Sequence, residues 1–415
     1  MAFGARKRNR RADRPKGHRG IKIAVAVVLI VALCALIGLL LLPKLLPSLD
    51  IFGQQPTETT APTEPKPDQV IHLVAGGDLN VTDKTVAAGM TGGSYDYTDV
   101  FRDVLPILAS GDVTMLNFEG IAGGTVFGSA TKCAPPQMLS ALASAGVDLL
   151  QTANSCSIFG GLHGLKNTIN SVQAAGMAPV GTFVDKAAFD QSGGYLIWEI
   201  QGIKVAFVAF TKGMDGMGLP SGSENCVNIL YQDYNSTYQK VDKERIQRVV
   251  RNAKAHDPDL IVAMLHWGSE FNDKISASQE KITTILTDEG VDAIIGSHSH
   301  YVQKVVYDKT AGTLVAYSLG DFFGDADKAG TNYSILLDLE ITKNGNTGET
   351  KITGLNCIPI FINQDDEGNM QVLRMREAIQ GYESSYVGSI SKEMYQAMKN
   401  ALDRIADRTG IQIDG

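Results

Sequence analysis

A chain of 415 residues exceeds one average domain of ~100–200 residues and suits a single large α/β domain with appendages. Its 44% hydrophobic and 20% charged residues are the composition of a globular protein. Net charge is −8, but residues 1–20 contribute +7 and Lys22 and Lys44 a further +2, so residues 45–415 carry −17, which argues against nucleic acid as a partner.

Arg6, Lys7, Arg8, Arg10, Arg11, Arg14, Lys16 and Arg19 stand against a single Asp13 in residues 1–20, and an apolar run from Ile21 to Leu42 follows. Twenty-two helical residues rise ~33 Å, enough for a hydrocarbon core of ~30 Å, whereas a signal-peptide core has ~7–15 residues. No small-x-small cleavage pattern follows Leu42; Pro43, Lys44 and Pro47 end the helix, and the basic flank sets the N-terminus in the cytoplasm. The expectation is a single-pass cell-membrane protein: a basic tail at 1–20, a transmembrane signal anchor at 21–42, a Thr/Pro/Glu-rich linker at 43–69, and an extracellular main domain at 70–380 followed by a helical segment at 381–415.

From Val70 onward short apolar runs alternate with helical patterns: IHLVAGG, a helix near Val100–Leu108, VTMLNFEG, a helix over Pro136–Ala145, VDLLQTAN, then LKNTINSVQAAG. KVAFVAF, a helix over Asp242–Ala255, DLIVAMLHWG, a helix over Ala277–Glu289 and DAIIGSHSH continue the alternation. After Tyr317 the pattern turns to strands and turns, which predicts antiparallel strands completing a second sheet, and Ser391–Thr409 reads as a helix. Of the five cysteines, Cys34 lies in the apolar run and the rest form no legible disulfide framework; a bridge such as Cys133 with Cys156 is permitted.

The predicted strands end in polar clusters. In open α/β sheets ligands sit beyond the carboxyl ends of the strands, so Asp78, Glu119, Asn154, His266 and His298 are expected to converge although far apart in sequence. Carboxylates with imidazoles suit Zn²⁺, Mn²⁺ or Fe. In GSHSH, His298 and His300 are expected to serve two metals, or one metal and a substrate, from one backbone. His72 and His256 read as structural, Trp267 as a wall of the site, and His163 as a candidate to supply a further imidazole.

From about His72 to Phe323 the chain resembles the CapA family of poly-γ-glutamate and capsule synthesis proteins. The resemblance rests on Gly77-Asp78, Asn117-Phe118-Glu119, His266-Trp267-Gly268 with Glu270, Gly296 to His300, and Tyr317 to Phe322. It implies an α/β, metallophosphatase-like (calcineurin-like) two-sheet sandwich flanked by helices, with a binuclear site. Asp78 and His300 would hold one metal, His266 and His298 the other, and Glu119 would bridge them; Asn154 is a further candidate ligand. On this reading Glu119, His298 and His300 carry the catalysis, two divalent ions (Mn, Zn or Fe) lowering the pKa of bound water. Three departures stand out. The family's Asn-His pair is replaced by Ser155-Cys156, Asp321 stands where the family usually has Asn, and the DxH opening of ordinary phosphodiesterases is absent, Leu79 and Asn80 following Asp78.

Two functions follow as expectations. One is a metal-dependent hydrolase-like protein of capsule or poly-γ-glutamate biosynthesis. The other is a non-catalytic polymer-binding or assembly/export factor with a degenerate metal site. Both imply an anionic envelope polymer or its precursor as a partner, the membrane through the N-terminal helix, and membrane synthase or export subunits.

Overall fold

The structure is a computed structural model that describes residues 66–411 except Asp366, Val387 and Ser389. The expected basic tail, the apolar segment and the linker up to residue 65 lie outside the described residues. Among those described, no helix is long and apolar enough to cross a membrane.

Sixteen strands lie among the described residues. They are β1 (Gln69–Asn80), β2 (Met90–Thr91), β3 (Ser94–Tyr95), β4 (Val113–Glu119), β5 (Leu149–Gln151), β6 (Ala178–Val180), β7 (Leu196–Ile200) and β8 (Ile203–Thr211), then β9 (Leu260–His266), β10 (Ala293–Ser297), β11 (Val305–Asp308), β12 (Thr313–Ala316), β13 (Asp321–Phe323), β14 (Tyr333–Lys343), β15 (Thr350–Gln364) and β16 (Met370–Arg374). One eight-stranded sheet runs β16-β15-β14-β1-β4-β5-β6 with β13 beside β1, and a six-stranded sheet runs β11-β12-β10-β9-β8-β7.

Strand alternation explains the layering. On β1, Ile71, Leu73 and Ala75 face a core shared with Val205, Phe207, Val262 and Ile295 of the other sheet, so the two sheets pack face to face. Val74 and Leu116, on the opposite face of the first sheet, pack on Met138 and Leu142 of the helix Pro136–Ser144. Val208, Ala263 and Ile294 face Ile246 and Val250 of the helix Lys243–Lys254 and Ile282 and Leu286 of the helix Ala277–Asp288. Helix, sheet, sheet, helix is the result: an α/β two-sheet sandwich flanked by helices. Side-chain caps mark two starts, Asp242 accepting from Arg245 N and Ser276 forming a reciprocal pair with Gln279.

Two expectations about elements are corrected. The strands after Tyr317 do not complete a second sheet of their own. β14 pairs antiparallel with β1 from Ala75↔Leu337 to Gln69↔Lys343 and carries β15 and β16 with it, so they extend the first sheet. The single helix expected near Val100–Leu108 is two, Thr98–Phe101 and Leu105–Leu108. Pro106, lacking an N–H, cannot donate back to the carbonyl four residues earlier and is tolerated only in a first helical turn.

The helices Met375–Glu383 and Lys392–Thr409 are not an appendage. Met375, Met398, Ala401 and Ile405 are buried in the core between the sheets. His72 pairs with Asp338 on β14 at 2.8 Å, and His256 lies in a turn with its ring near Tyr195, as the structural reading of both requires. The cysteines Cys133, Cys156, Cys226 and Cys357 are buried free thiols, and the permitted Cys133–Cys156 bridge does not form. Removing the fully buried Ile405 side chain tests the place of the last helix: Ile405→Ala should destabilise the protein by about 2–5 kcal/mol in denaturant unfolding, the cost of a core cavity. A surface-like loss under 0.5 kcal/mol would mean that the helix does not belong to the core.

Candidate metal centre

β1, β4, β9 and β10 end side by side. β1 runs parallel to β4, with Asp78 opposite Asn117 and Asn80 opposite Glu119. β9 runs parallel to β10, with His266 opposite Ser297. The last residues of four strands from two sheets therefore meet at one end of the sandwich.

Two glycines allow this approach. A Cβ on Gly77 would lie 1.8 Å from the Gly320 carbonyl oxygen, the same oxygen that accepts the Asp78 N–H at 3.0 Å. A Cβ on Gly296 would lie 2.0 Å from the Tyr317 oxygen. The GGD and GSHSH motifs thus need glycine for close backbone packing, which sets Asp78 beside Asp321 in the β1–β13 register.

His298 and His300 do not alternate along a strand. Both follow β10 in the left-handed region, at φ +89° and +59°, a conformation costly for residues with a Cβ and concentrated at functional sites. This turn, rather than an extended pleat, sends the two imidazoles to different neighbours. Ligand atoms of Glu119, His266 and His298 lie within 4.8 Å of one another, and so do those of Asp78, Glu119 and His300. Glu119 is common to both groups.

Each side chain is held. Asp78, fully buried, accepts from the His298 backbone N–H at 2.8 Å and from Asn117 Nδ2. Asn117 Nδ2 also lies 3.2 Å from His266 Nδ1. Ser297 Oγ, itself bonded to Leu265 O, lies 3.3 Å from the same nitrogen, and a proton kept there leaves the Nε2 lone pair free. His300 Nδ1 bonds Asp321 Oδ1 at 2.8 Å, and Phe271 stacks on its ring at 5.0 Å. Ser155 donates its hydroxyl to Glu119 Oε1. Glu119 Oε2, His266 Nε2 and both ring nitrogens of His298 are buried without a hydrogen-bond partner among the described residues.

Electrostatics sharpens the picture. Burial pushes the Asp78 carboxyl up to about 6, the charge of His300 opposing it. Burial, then the charge of Asp78, pushes Glu119 up to about 8. Burial drives His266 and His298 well below the ordinary imidazole value, so both are neutral bases. The 3.5 Å approach of His266 Nε2 to Glu119 Oε1 is accordingly not an ion pair. His300 behaves oppositely: burial lowers it, but the charge and hydrogen bond of Asp321 raise it to about 10. Buried acids, neutral imidazoles and orphaned lone pairs are a donor set that fits divalent metal ions.

Other expected residues are placed differently. Asn154 Nδ2 donates to Phe118 O at 2.6 Å and its Oδ1 accepts from Cys156 N at 3.0 Å, so its amide joins the end of β4 to the loop after β5 and keeps one Oδ1 lone pair. His163 sits exposed on the helix Gly161–Ala174, bonded to Asn167, and does not line the cleft. Trp267 is no wall of the site. The residue after His266 points to the other face of the sheet, where Trp267 stacks on Tyr317 and donates to its carbonyl at 2.8 Å. Asn80 holds Asp321 at 3.0 Å. Burial raises the Cys156 thiol far above its usual value, which keeps it protonated.

A cleft of about 360 Å³ opens over Glu119, His300, Asp321 and Ser155. Its rim carries Asp215, Glu270, Asp325 and Asp327 against Lys132 and Lys328. Asp215 and Lys212, beyond the end of β8, were missed by the sequence reading, although the rule that selected strand ends applies to KVAFVAFTK as well.

Residues 72–326, more than half of the chain, match the family described as bacterial capsule synthesis protein PGA_cap, and the chain belongs to that family. It is 26% identical over 298 residues to the capsule biosynthesis protein CapA of Bacillus anthracis, covering 70% of this chain and 69% of the relative. It is likewise 26% identical over 284 residues to the PGA biosynthesis protein CapA of Bacillus subtilis, covering 66% and 70%. Among solved structures, a phosphatase from Mycoplasma pneumoniae aligns at a TM-score of 0.44 and 14% identity over 72% of this chain and 96% of its own. A 5'-nucleotidase from Candida albicans aligns at 0.41 and 14% identity over 82% and 59%. Both structural likenesses are loose.

The close approach at Gly77 yields a test. Gly77→Ala should lower the denaturation midpoint by an amount corresponding to about 1–3 kcal/mol or more, because a backbone carbonyl cannot move aside as a side-chain end can. A wild-type midpoint would mean that β1 and the Gly320 turn are not packed this tightly.

Proposed function

We propose that the protein is a membrane-anchored, extracellular member of its family that acts in the synthesis or export of poly-γ-glutamate or another anionic envelope polymer through a metallophosphatase-like binuclear centre. Glu119, His266 and His298 would hold one divalent ion, and Asp78, Glu119 and His300 the other. The observation that carries this reading is the pair of clusters sharing Glu119, with buried lone pairs on Glu119, His266 and His298 that no group among the described residues uses. The apolar run at 21–42 and its basic flank support the anchor.

When bound, such a metal pair supplies Lewis-acid polarisation of the attacked group and a lowered pKa for water. The protein's own groups position it. Asp321 fixes the His300 ring through Nδ1, so that Nε2 would be the ligand atom once its proton is given up to the metal, Ser155 orients one oxygen of Glu119, Asn117 donates to Asp78, and Ser297 Oγ stands at His266 Nδ1. Manganese, zinc and iron all suit this donor set.

A second reading, a polymer-binding or assembly factor working with membrane synthase or export subunits, is favoured by one observation. Ser155 and the protonated Cys156 occupy the positions of the family's amide and imidazole. Loss of a positioned acid typically costs ~10²–10⁴-fold in rate.

Two measurements separate the readings. Elemental analysis of metal-replete protein should find two divalent ions per chain, lost together in the His298→Ala/His300→Ala double variant; a metal-free, stably folded wild type would remove the hydrolase reading. The acidic rim also implies that a polyanion binds only with divalent cations present. Poly-γ-glutamate binding should therefore disappear in excess EDTA, and undiminished binding would refute the metal dependence.

A further inference from the structure

β8 ends at Thr211, opposite His266 on β9, and the next residue, Lys212, donates its backbone N–H to His266 O at 2.8 Å. Its side chain therefore starts beside the imidazole pair. Nζ donates to Gly268 O at 2.9 Å and stands 4.7 Å from the centre of the Tyr238 ring, a cation–π contact that fixes its direction. An ammonium has three N–H donors, and Gly268 O is its one hydrogen-bond partner among the described residues.

Lys212 lines a cavity of about 270 Å³ together with His298, Ser155, Tyr238, Asp215 and Glu270. His298, only 3% exposed, contributes ring nitrogens that no group among the described residues engages. One wall thus offers unspent donors on a fixed cation, and the other a candidate metal ligand. We propose that this cavity is an anion-binding subsite in which Lys212 holds an oxygen of a carboxylate or phosphate group next to His298. The subsite rests on the metal-centre reading for its ligand to be a substrate. It returns a positive charge to a site from which the imidazole at position 156 has gone, and does so from the end of β8.

Two features define what fits. Burial lowers the Lys212 pKa, and the nearby charges of Glu270 and Asp215 oppose that shift. Those same carboxylates are exposed at the mouth and repel a run of negative groups more than a single one. The ligand class is accordingly a terminal or isolated anionic group, not the interior of a polyanion.

The test titrates the full chain in detergent, with and without Mn²⁺, against inorganic phosphate and separately against glutarate, following heat of binding and metal stoichiometry. Lys212→Gln should weaken at least one probe by about tenfold or more, the scale of a lost hydrogen bond to a charged group, with metal stoichiometry unchanged. Lys212→Arg should retain most of the affinity, which guards against a purely structural loss of the Gly268 contact. An effect on phosphate alone assigns a phosphate subsite, and an effect on glutarate alone a carboxylate subsite. Unchanged affinity for both probes in Lys212→Gln, or no binding of either to wild type, overturns the proposal. Normal metal uptake with that result leaves the metal centre standing; Lys212-dependent binding in a chain that takes up no metal does the reverse.

Discussion

The buried carboxylate of Asp78 is the constraint on which the site depends. A charge that deep is tolerated only when hydrogen-bonded, and its two oxygens draw their partners from both sheets: Asn117 at the end of β4 and the backbone of His298 after β10. The sandwich is thereby tied at one end by a polar node while apolar packing holds the remainder. Glu119 is common to both groups of candidate ligands, so they form one unit around that node.

Around that node the fold concentrates negative charge where water is scarce. Asp78 and Glu119 are both pushed up by burial, and the counterweight from the protein is the His300 imidazolium that Asp321 favours, whose Nε2 proton a divalent ion would displace. The Asp321 carboxylate both holds His300 and adds to the acidity of the cleft. Divalent cations would offset exactly this kind of excess, and the orphaned lone pairs lie where such ions would be held.

Ser155-Cys156, which by the resemblance stand in place of an Asn-His pair, fit the scaffold without strain on the groups around them. Ser155 still engages Glu119, and Cys156 fills apolar space as a protonated thiol. By that resemblance an imidazole is missing at the cleft, and the cationic groups lining it include, besides His300, Lys132, Lys212 and Lys328. A site altered in this way keeps its means of holding ions and an anionic group while giving up a proton donor.

The amino-acid sequence by itself determined the strand and helix series, the strand-end placement of Asp78, Glu119, His266 and His298, and the family, because hydrophobic period and local motifs depend on near neighbours. The helices at Pro136–Ser144, Lys243–Lys254, Ala277–Asp288 and Lys392–Thr409 were legible for that reason. Tertiary structure decided which sheet β14–β16 joined, since the free edge of β1 is a long-range property. It also decided that Asn154 would be held by backbone partners and Trp267 turned to the opposite face, and that His298 and His300 would diverge through positive φ. Lys212 enters the site for the same physical reason: a side chain acquires its neighbours only when distant strands have taken their register.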